Sequence, residues 1–234
     1  KGILEEQSLR EDRSLYDFKK QDEKRSLSDA QQKALNEINN IFEEKPVVLF
    51  QGVTGSGKTE VYIELIAQAI AQDKQVLYLL PEISLTPQMV QRLQARFGSE
   101  VTVYHSKFSV HERTEVWNNI LDKNPNAKII VGTRSAIFLP FNQLGLLIVD
   151  EEHELSYKQF DPSPRYHARD SAVVLAGMYQ AKVVLGSATP ALESSFNRLS
   201  GKYGWVQLGE RYGKVAMPEI LTIDLKSAYK KKKM

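Results

Sequence analysis

The chain's 234 residues hold 31 Lys and Arg against 29 Asp and Glu, a formal net charge of +2, with 42% hydrophobic residues. This fits one large or two small soluble domains and leaves no global charge excess, so any basic surface must be local. No cysteine is present, which excludes disulfides and thiolate metal sites in this chain and points to a reducing cytoplasm; no apolar run has membrane-spanning length and no signal peptide is visible.

The first residue is Lys1 rather than Met, as expected of a fragment or a processed product, and residues 1–26 read as a charged linker or entry segment. Residues 27–225 read as one α/β domain. Leu27, Ala30, Ala34, Leu35, Ile38, Ile41 and Phe42 recur at helical spacing, with Ser28 or Asp29 placed to cap. Residues 46–51 (PVVLFQ) form a buried strand. It enters Gly52-Val53-Thr54-Gly55-Ser56-Gly57-Lys58-Thr59, which fits the phosphate loop G-x-x-x-x-G-K-[ST], and a helix over 60–71 follows. Glycines let the backbone N–H groups turn toward phosphate, and the helix adds its positive end. Gly52, Thr54, Gly55, Ser56 and Gly57 then line the phosphates, Lys58 reaches the β- and γ-phosphates, and Thr59 ligates Mg²⁺.

Residues 75–80 (QVLYLL) predict a second buried strand ending in Pro81-Glu82, and Thr86 or Ser84 caps a helix with Met89, Val90, Leu93 and Phe97 inside. A short strand over 101–104 precedes a helix over 110–121, whose candidate core is Val110, Val116, Trp117, Ile120 and Leu121. A strand over 128–131 leads to Gly132-Thr133-Arg134. The apolar runs 144–149 and 182–185 end in Asp150-Glu151-Glu152-His153 and Gly186-Ser187-Ala188-Thr189-Pro190. Weaker strands follow near 205–208 and 220–223, and 226–234 is a basic tail. Apolar strands alternating with helices need cover on both faces, which predicts a mainly parallel sheet between helices with the polar motifs at the carboxyl ends of the strands.

Asp150 holds the position of an acid that binds Mg²⁺ at a strand end, and Glu151 beside it is placed to deprotonate an attacking water. Residues 156–170 (SYKQFDPSPRYHARD) mix aromatics with cations. Aromatics stack on bases and cations meet phosphates, so Phe160 and Tyr166 are candidate stacking faces and Lys158, Arg165 and Arg169 candidate phosphate contacts. Pro162 and Pro164 are expected to keep this loop extended.

Asp-Glu-x-His matches motif II of the superfamily 2 helicases. Gly186 to Pro190 is similar to their motif III, Gly132-Thr133-Arg134 to motif Ib and Leu80-Pro81-Glu82 to motif Ia. GVTGSGKTEVY, PEISLTPQ, VGTRSAIFLPF, IVDEEHELSYKQFDPSPRYHARD and GSATPALES together resemble the bacterial primosomal replication-restart helicases, from about Leu27 to Leu199. The resemblance implies a RecA-like first helicase lobe that binds ATP and Mg²⁺. For the whole protein it implies ATP-driven 3′-to-5′ translocation on single-stranded and forked DNA at stalled forks, without a membrane role. Implied partners are other primosome proteins, single-stranded DNA-binding protein and the loader of the replicative helicase.

For single residues the resemblance implies an adenine contact by Gln31, DNA contacts by Pro81, Glu82, Thr133 and Arg134, and coupling of ATP to DNA through His153, Ser187 and Thr189. The loop from Tyr157 to Arg169 resembles the DNA-sensing aromatic-rich loop of these helicases and of RecQ. The family's N-terminal DNA-binding region, second lobe with its arginine finger and zinc-binding insertion are not in this sequence, so zinc is expected only in the missing part. The lobe alone is expected to turn over little ATP. The rivals are a RecQ-like motor and an ATP- and DNA-binding module without turnover.

Overall fold

The computed structural model describes residues 26–211. Nearly all of the charged segment 1–26, the strand expected near 220–223 and the basic tail lie outside them. The first helix, α1 (Asp29–Glu44), begins in a capping box: the Ser28 hydroxyl accepts from the Gln31 N–H, and the Gln31 amide oxygen accepts from the Ser28 N–H. Ser28, not Asp29, is therefore the cap.

The chain then alternates: β1 (Val47–Gly52), α2 (Lys58–Ala71), β2 (Gln75–Leu79), α3 (Pro87–Phe97), β3 (Val101–Tyr104), α4 (Val110–Leu121), β4 (Ile129–Gly132), β5 (Leu144–Val149), α5 (Ala168–Tyr179), β6 (Lys182–Ser187), α6 (Leu192–Leu199) and β7 (Gly204–Leu208). Thr86 rather than Ser84 caps α3. Among the described residues seven strands form one sheet in the order β3-β4-β2-β5-β6-β1-β7, each pair parallel. An all-parallel sheet puts every strand's carboxyl end on one edge, where ligands bind in open α/β folds.

The period of two along each strand divides the core. Val48, Phe50, Tyr78, Leu146, Ile148 and Val184 pack on one face with α1, α2 and α3. Val47, Leu49, Leu77, Leu147, Val149 and Val183 pack on the other face with α4 and α5. Among the described residues no helix is long and apolar enough to cross a membrane.

The structure corrects α4. Val116 and Ile120 are buried, but Val110, Trp117 and Leu121 are exposed. Residues 110, 117 and 121 form their own stripe at helical spacing, so periodicity offers two apolar faces, and packing against the edge of the sheet uses the other one. Of the four residues expected inside α3, Leu93 and Phe97 are buried while Met89 and Val90 are only partly so. The loop expected to reach Asp170 ends earlier, because α5 starts at Ala168. Neither α5 nor α6 is anticipated by the sequence reading.

Candidate nucleotide site and the loop beside it

The glycine loop closes β1 and opens α2. Gly57, the residue before Lys58, has φ +82°, and a Cβ there would lie 2.2 Å from Gln31 Nε2. Both the backbone and the space therefore require glycine. Gln31 is 1% exposed, and its Nε2 donates to Ser56 O (3.1 Å) and Gly57 O (3.4 Å). In this geometry its amide fastens α1 to the phosphate loop, and the residue also lines the cleft beside that loop. Lys58 is buried. Its Nζ donates to Gly52 O at 2.9 Å and lies 3.8 Å from Glu151 Oε1. Thr54, Gly55, Thr59, Asp150 and Glu151 share with Lys58 the lining of a cleft of ≈ 350 Å³.

Asp150 leaves β5 with its N–H bonded to Leu79 O (3.0 Å) at the end of β2. Its Oδ1 accepts from Tyr62 Oη (3.1 Å) and from the Glu151 N–H (3.0 Å), and its Oδ2 from Tyr78 Oη (3.3 Å). Burial, then the neighbouring Glu151 charge, holds the Asp150 carboxyl above the usual range, while Lys58 and the Tyr62 bond oppose this. Burial, then the Asp150 charge, pushes both phenols well up, so they remain donors at neutral pH. Tyr62 and Tyr78 are site residues that the sequence reading misses. For Tyr78 the signal is a tyrosine inside the apolar run VLYLL, since a buried hydroxyl needs a partner. Gly186 makes room for Tyr62: a Cβ there would meet Tyr62 Oη at 1.7 Å.

Glu151 has φ +44° and a half-exposed side chain; its Oε2 lies 3.7 Å from His153 Nδ1. His153 Nδ1 shares a hydrogen bond with Ser187 Oγ (2.8 Å), which also accepts from the Thr189 N–H (2.9 Å). The strand ends of β5 and β6 thus bring together His153 and Ser187. Glu152, passed over in the sequence, is completely buried.

Farther along the edge Pro81 is buried and Glu82 exposed. Thr133 is buried with its hydroxyl unpartnered. Arg134 reaches back to the aromatic loop, its Nη1 donating to Lys158 O (3.1 Å) and Ser156 O (3.4 Å). The loop is not extended. Lys158 and His167 form an antiparallel bridge, and the Gln159 N–H donates to Tyr166 O (2.9 Å). Gln159 Nε2 donates to Pro162 O and Pro164 O, and Lys158 Nζ to Arg165 O.

Phe160 and Arg165 face solvent, and half-buried Tyr166 stacks edge-on against exposed Phe138 at 4.8 Å. Within this loop two residues expected to face DNA, like Pro81 and Thr133 before them, do not face solvent. Tyr157 is buried, its Oη donating to Asp150 O (2.7 Å) and Leu79 O (3.0 Å). Arg169 is buried in the first turn of α5, paired with Glu152. Both corrections have one cause: the chain closes the loop before residue 168 and needs the two groups as internal ties.

The profile of the DEAD/DEAH box helicase family matches residues 28–196. The chain belongs to the DEAD/DEAH box helicase family. Among curated relatives it is 44% identical over 230 residues to the replication restart protein PriA of Bacillus subtilis, covering 97% of this chain and 28% of that protein. It is 49% identical over 181 residues to the protein of the same name from Haemophilus influenzae, covering 77% and 24%. The chain thus spans about a quarter of the length of these relatives. In fold, this DEAD/DEAH box helicase lobe is similar to RecG bound to a three-way DNA junction (TM-score 0.57, 24% identity, 83% of this chain and 24% of that one). A second neighbour is the helicase MrfA bound to DNA (TM-score 0.55, 20% identity, 79% and 27%). The RecA-like α/β architecture expected from the sequence is the one found.

Proposed function

We propose that this chain is the nucleotide-binding first lobe of an ATP-dependent DNA helicase that acts in replication restart, moving 3′ to 5′ along DNA at stalled forks. The observation that carries the reading is the convergence of Lys58 with Asp150 and Glu151 in one cleft at the carboxyl edge of the sheet. The identity to replication restart proteins supports the biological setting.

The residues present fit ATP and Mg²⁺. Ser56 Oγ is a buried hydroxyl without a partner in the glycine loop, which an anionic oxygen would satisfy. Thr59 and Asp150 offer the hard oxygens that Mg²⁺ takes. Bound Mg²⁺ would offset the phosphate charge. Lys58 exchanges the Gly52 carbonyl for phosphate and loosens its pairing with Glu151. Glu151 is then free to accept the proton of the attacking water. His153 and Ser187 link that acid to the segment ending in Thr189. Phe160, Arg165 and Tyr166 are the DNA-facing side of the aromatic loop, with Glu82 and the backbone around Pro81 and Thr133 along the same edge, and Arg134 holds the loop in place. On this reading the partners are single-stranded and forked DNA, other primosome proteins, single-stranded DNA-binding protein and the helicase loader, in the cytoplasm. Zinc belongs to parts of the whole protein outside this sequence.

Two substitutions in the full-length protein test the division of roles. Lys58→Ala should weaken nucleotide binding and abolish turnover, because the cation that offsets phosphate charge is gone. Glu151→Gln should keep binding and lose about 10²–10⁴ in kcat, the usual span for a general base. Nucleotide titration beside a steady-state ATPase assay reads both, and wild-type turnover in Glu151→Gln would overturn the assignment.

A further inference from the structure

Glu152 is the acid of the Asp150–His153 segment for which the ATP chemistry has no use. Its carboxylate is 0% exposed and binds three donors from two other parts of the chain. Arg169 Nη1 in α5 lies at 3.2 Å, the Ala191 N–H at the start of α6 at 2.8 Å, and the Ser194 hydroxyl in its first turn at 2.8 Å. The Glu152 N–H donates to Gly186 O at 3.0 Å. One side chain therefore joins three pieces: the acidic turn after β5, the helix that closes the aromatic loop, and the helix that follows Ser187 and Thr189. Arg169 is further fixed by Asp170 Oδ1 at 2.8 Å and lies 3.7 Å from Glu193 Oε2.

A buried ion pair is a weak device for stability, since apolar residues of equal volume often do as well or better. It is an effective device for holding separate segments in one register, because each donor has a fixed direction. Its position here is telling. Glu152 is the residue between Glu151, which faces Lys58, and His153, which bonds Ser187.

We propose that Glu152 is a positioning residue. Through Arg169 it transmits the engagement of DNA at the loop over 158–167 to the carboxylate of Glu151. A shift of the loop moves the start of α5; Arg169 carries that shift to the Glu152 side chain; and the left-handed turn at Glu151 is the adjacent joint. The proposal rests on the reading of Glu151 as base and of the loop as the DNA side.

Glu152→Gln in the full-length protein separates coupling from packing. The amide keeps the shape. Its oxygen can still accept from the Ala191 N–H, and its NH₂ can donate to a reversed Ser194 hydroxyl. Arg169 Nη1, which shares Oε2 with Ser194, then faces a donor instead of an acceptor. We expect the basal kcat, the KM for ATP and the affinity for single-stranded DNA to stay within about twofold, while DNA-stimulated kcat falls about tenfold, inside the roughly 5–150-fold span of couplings between sites. Arg169→Met should lose stimulation to the same extent and Arg169→Lys less. The double variant Glu152→Gln/Arg169→Met should lose no more than either single change.

Full stimulation in Glu152→Gln overturns the proposal. So does a proportionate fall of basal and stimulated turnover with melting temperature, or additive losses in the double variant. A wild-type protein whose turnover DNA does not raise overturns the functional reading itself, and the coupling with it.

Discussion

Tyr157→Phe distinguishes an internal tie from a base platform at the start of the aromatic loop. The ring is 1% exposed, so the substitution leaves its packing intact and deletes only the hydroxyl. That hydroxyl has one proton for two acceptors, Asp150 O at 2.7 Å and Leu79 O at 3.0 Å, and the shorter bond takes most of it. Leu79 O also accepts from the Asp150 N–H at 3.0 Å, so it stays satisfied. The loss falls on the Asp150 carbonyl. Leaving a buried acceptor without its donor costs about 1–3 kcal/mol, more than the ~1 kcal/mol of an average net hydrogen bond. At ~2–4 °C per kcal/mol for a domain of this size, the transition of this lobe should fall by roughly 2–12 °C. Thermal melts followed by circular dichroism, beside fluorescence anisotropy with labelled single-stranded DNA, read both properties in the intact protein. An unchanged transition with markedly weaker DNA binding would refute the reasoning.

Asp150→Asn should raise the melting temperature of the nucleotide-free protein at neutral pH while abolishing Mg²⁺-dependent turnover. The folded carboxyl is held above its unfolded pKa by burial and by Glu151, so ionisation works against folding. That penalty is absent below the unfolded pKa and complete above the folded one, and the gain from asparagine should therefore vanish in acid; a variant no more stable than wild type at neutral pH contradicts this. Phe160→Ala removes a side chain that is 64% exposed, so its melting curve should match wild type while single-stranded DNA affinity drops by the ~1–3 kcal/mol of one stacked base; equal affinity in the two proteins would exclude stacking there.

The glycine loop was legible between its strand and its helix, because its residue types are dictated locally, Gly57 by its positive φ. The strands β1, β2, β5 and β6 were legible because burial on both faces leaves continuous apolar runs, and the ends of β5 and β6 place Asp150 and Ser187 on the same edge. The tilt of α4 was not legible, since Val110, Trp117 and Leu121 make as regular a stripe as Val116 and Ile120; only the position of the sheet edge chooses between them. The aromatic loop failed for a different reason. Composition marks Tyr157, Phe160, Arg165 and Arg169 alike as base or phosphate partners, but two are consumed inside the fold, Tyr157 by the Asp150 and Leu79 carbonyls and Arg169 by Glu152. Local reading cannot see such partners. Tyr62 and Tyr78 were hidden in the same way, as apolar positions whose hydroxyls find Asp150 only after the sheet has formed.

The strand order also sets a timetable for the newborn chain. β1 carries the glycine loop, yet both of its neighbours, β6 and β7, come from the far end of the described sequence, and the Val53 N–H bonds to Leu208 O. At ribosomal speeds of about 5–20 residues per second, β1 waits on the order of ten seconds after emerging before either side of it can be covered. During that interval Val47 to Phe50 is an apolar strand with two open edges, the kind of segment that pairs with other chains or engages a chaperone. Nucleotide capture is accordingly a late event, and a nascent chain halted before Leu208 lacks the edge partner that completes the seat of the loop.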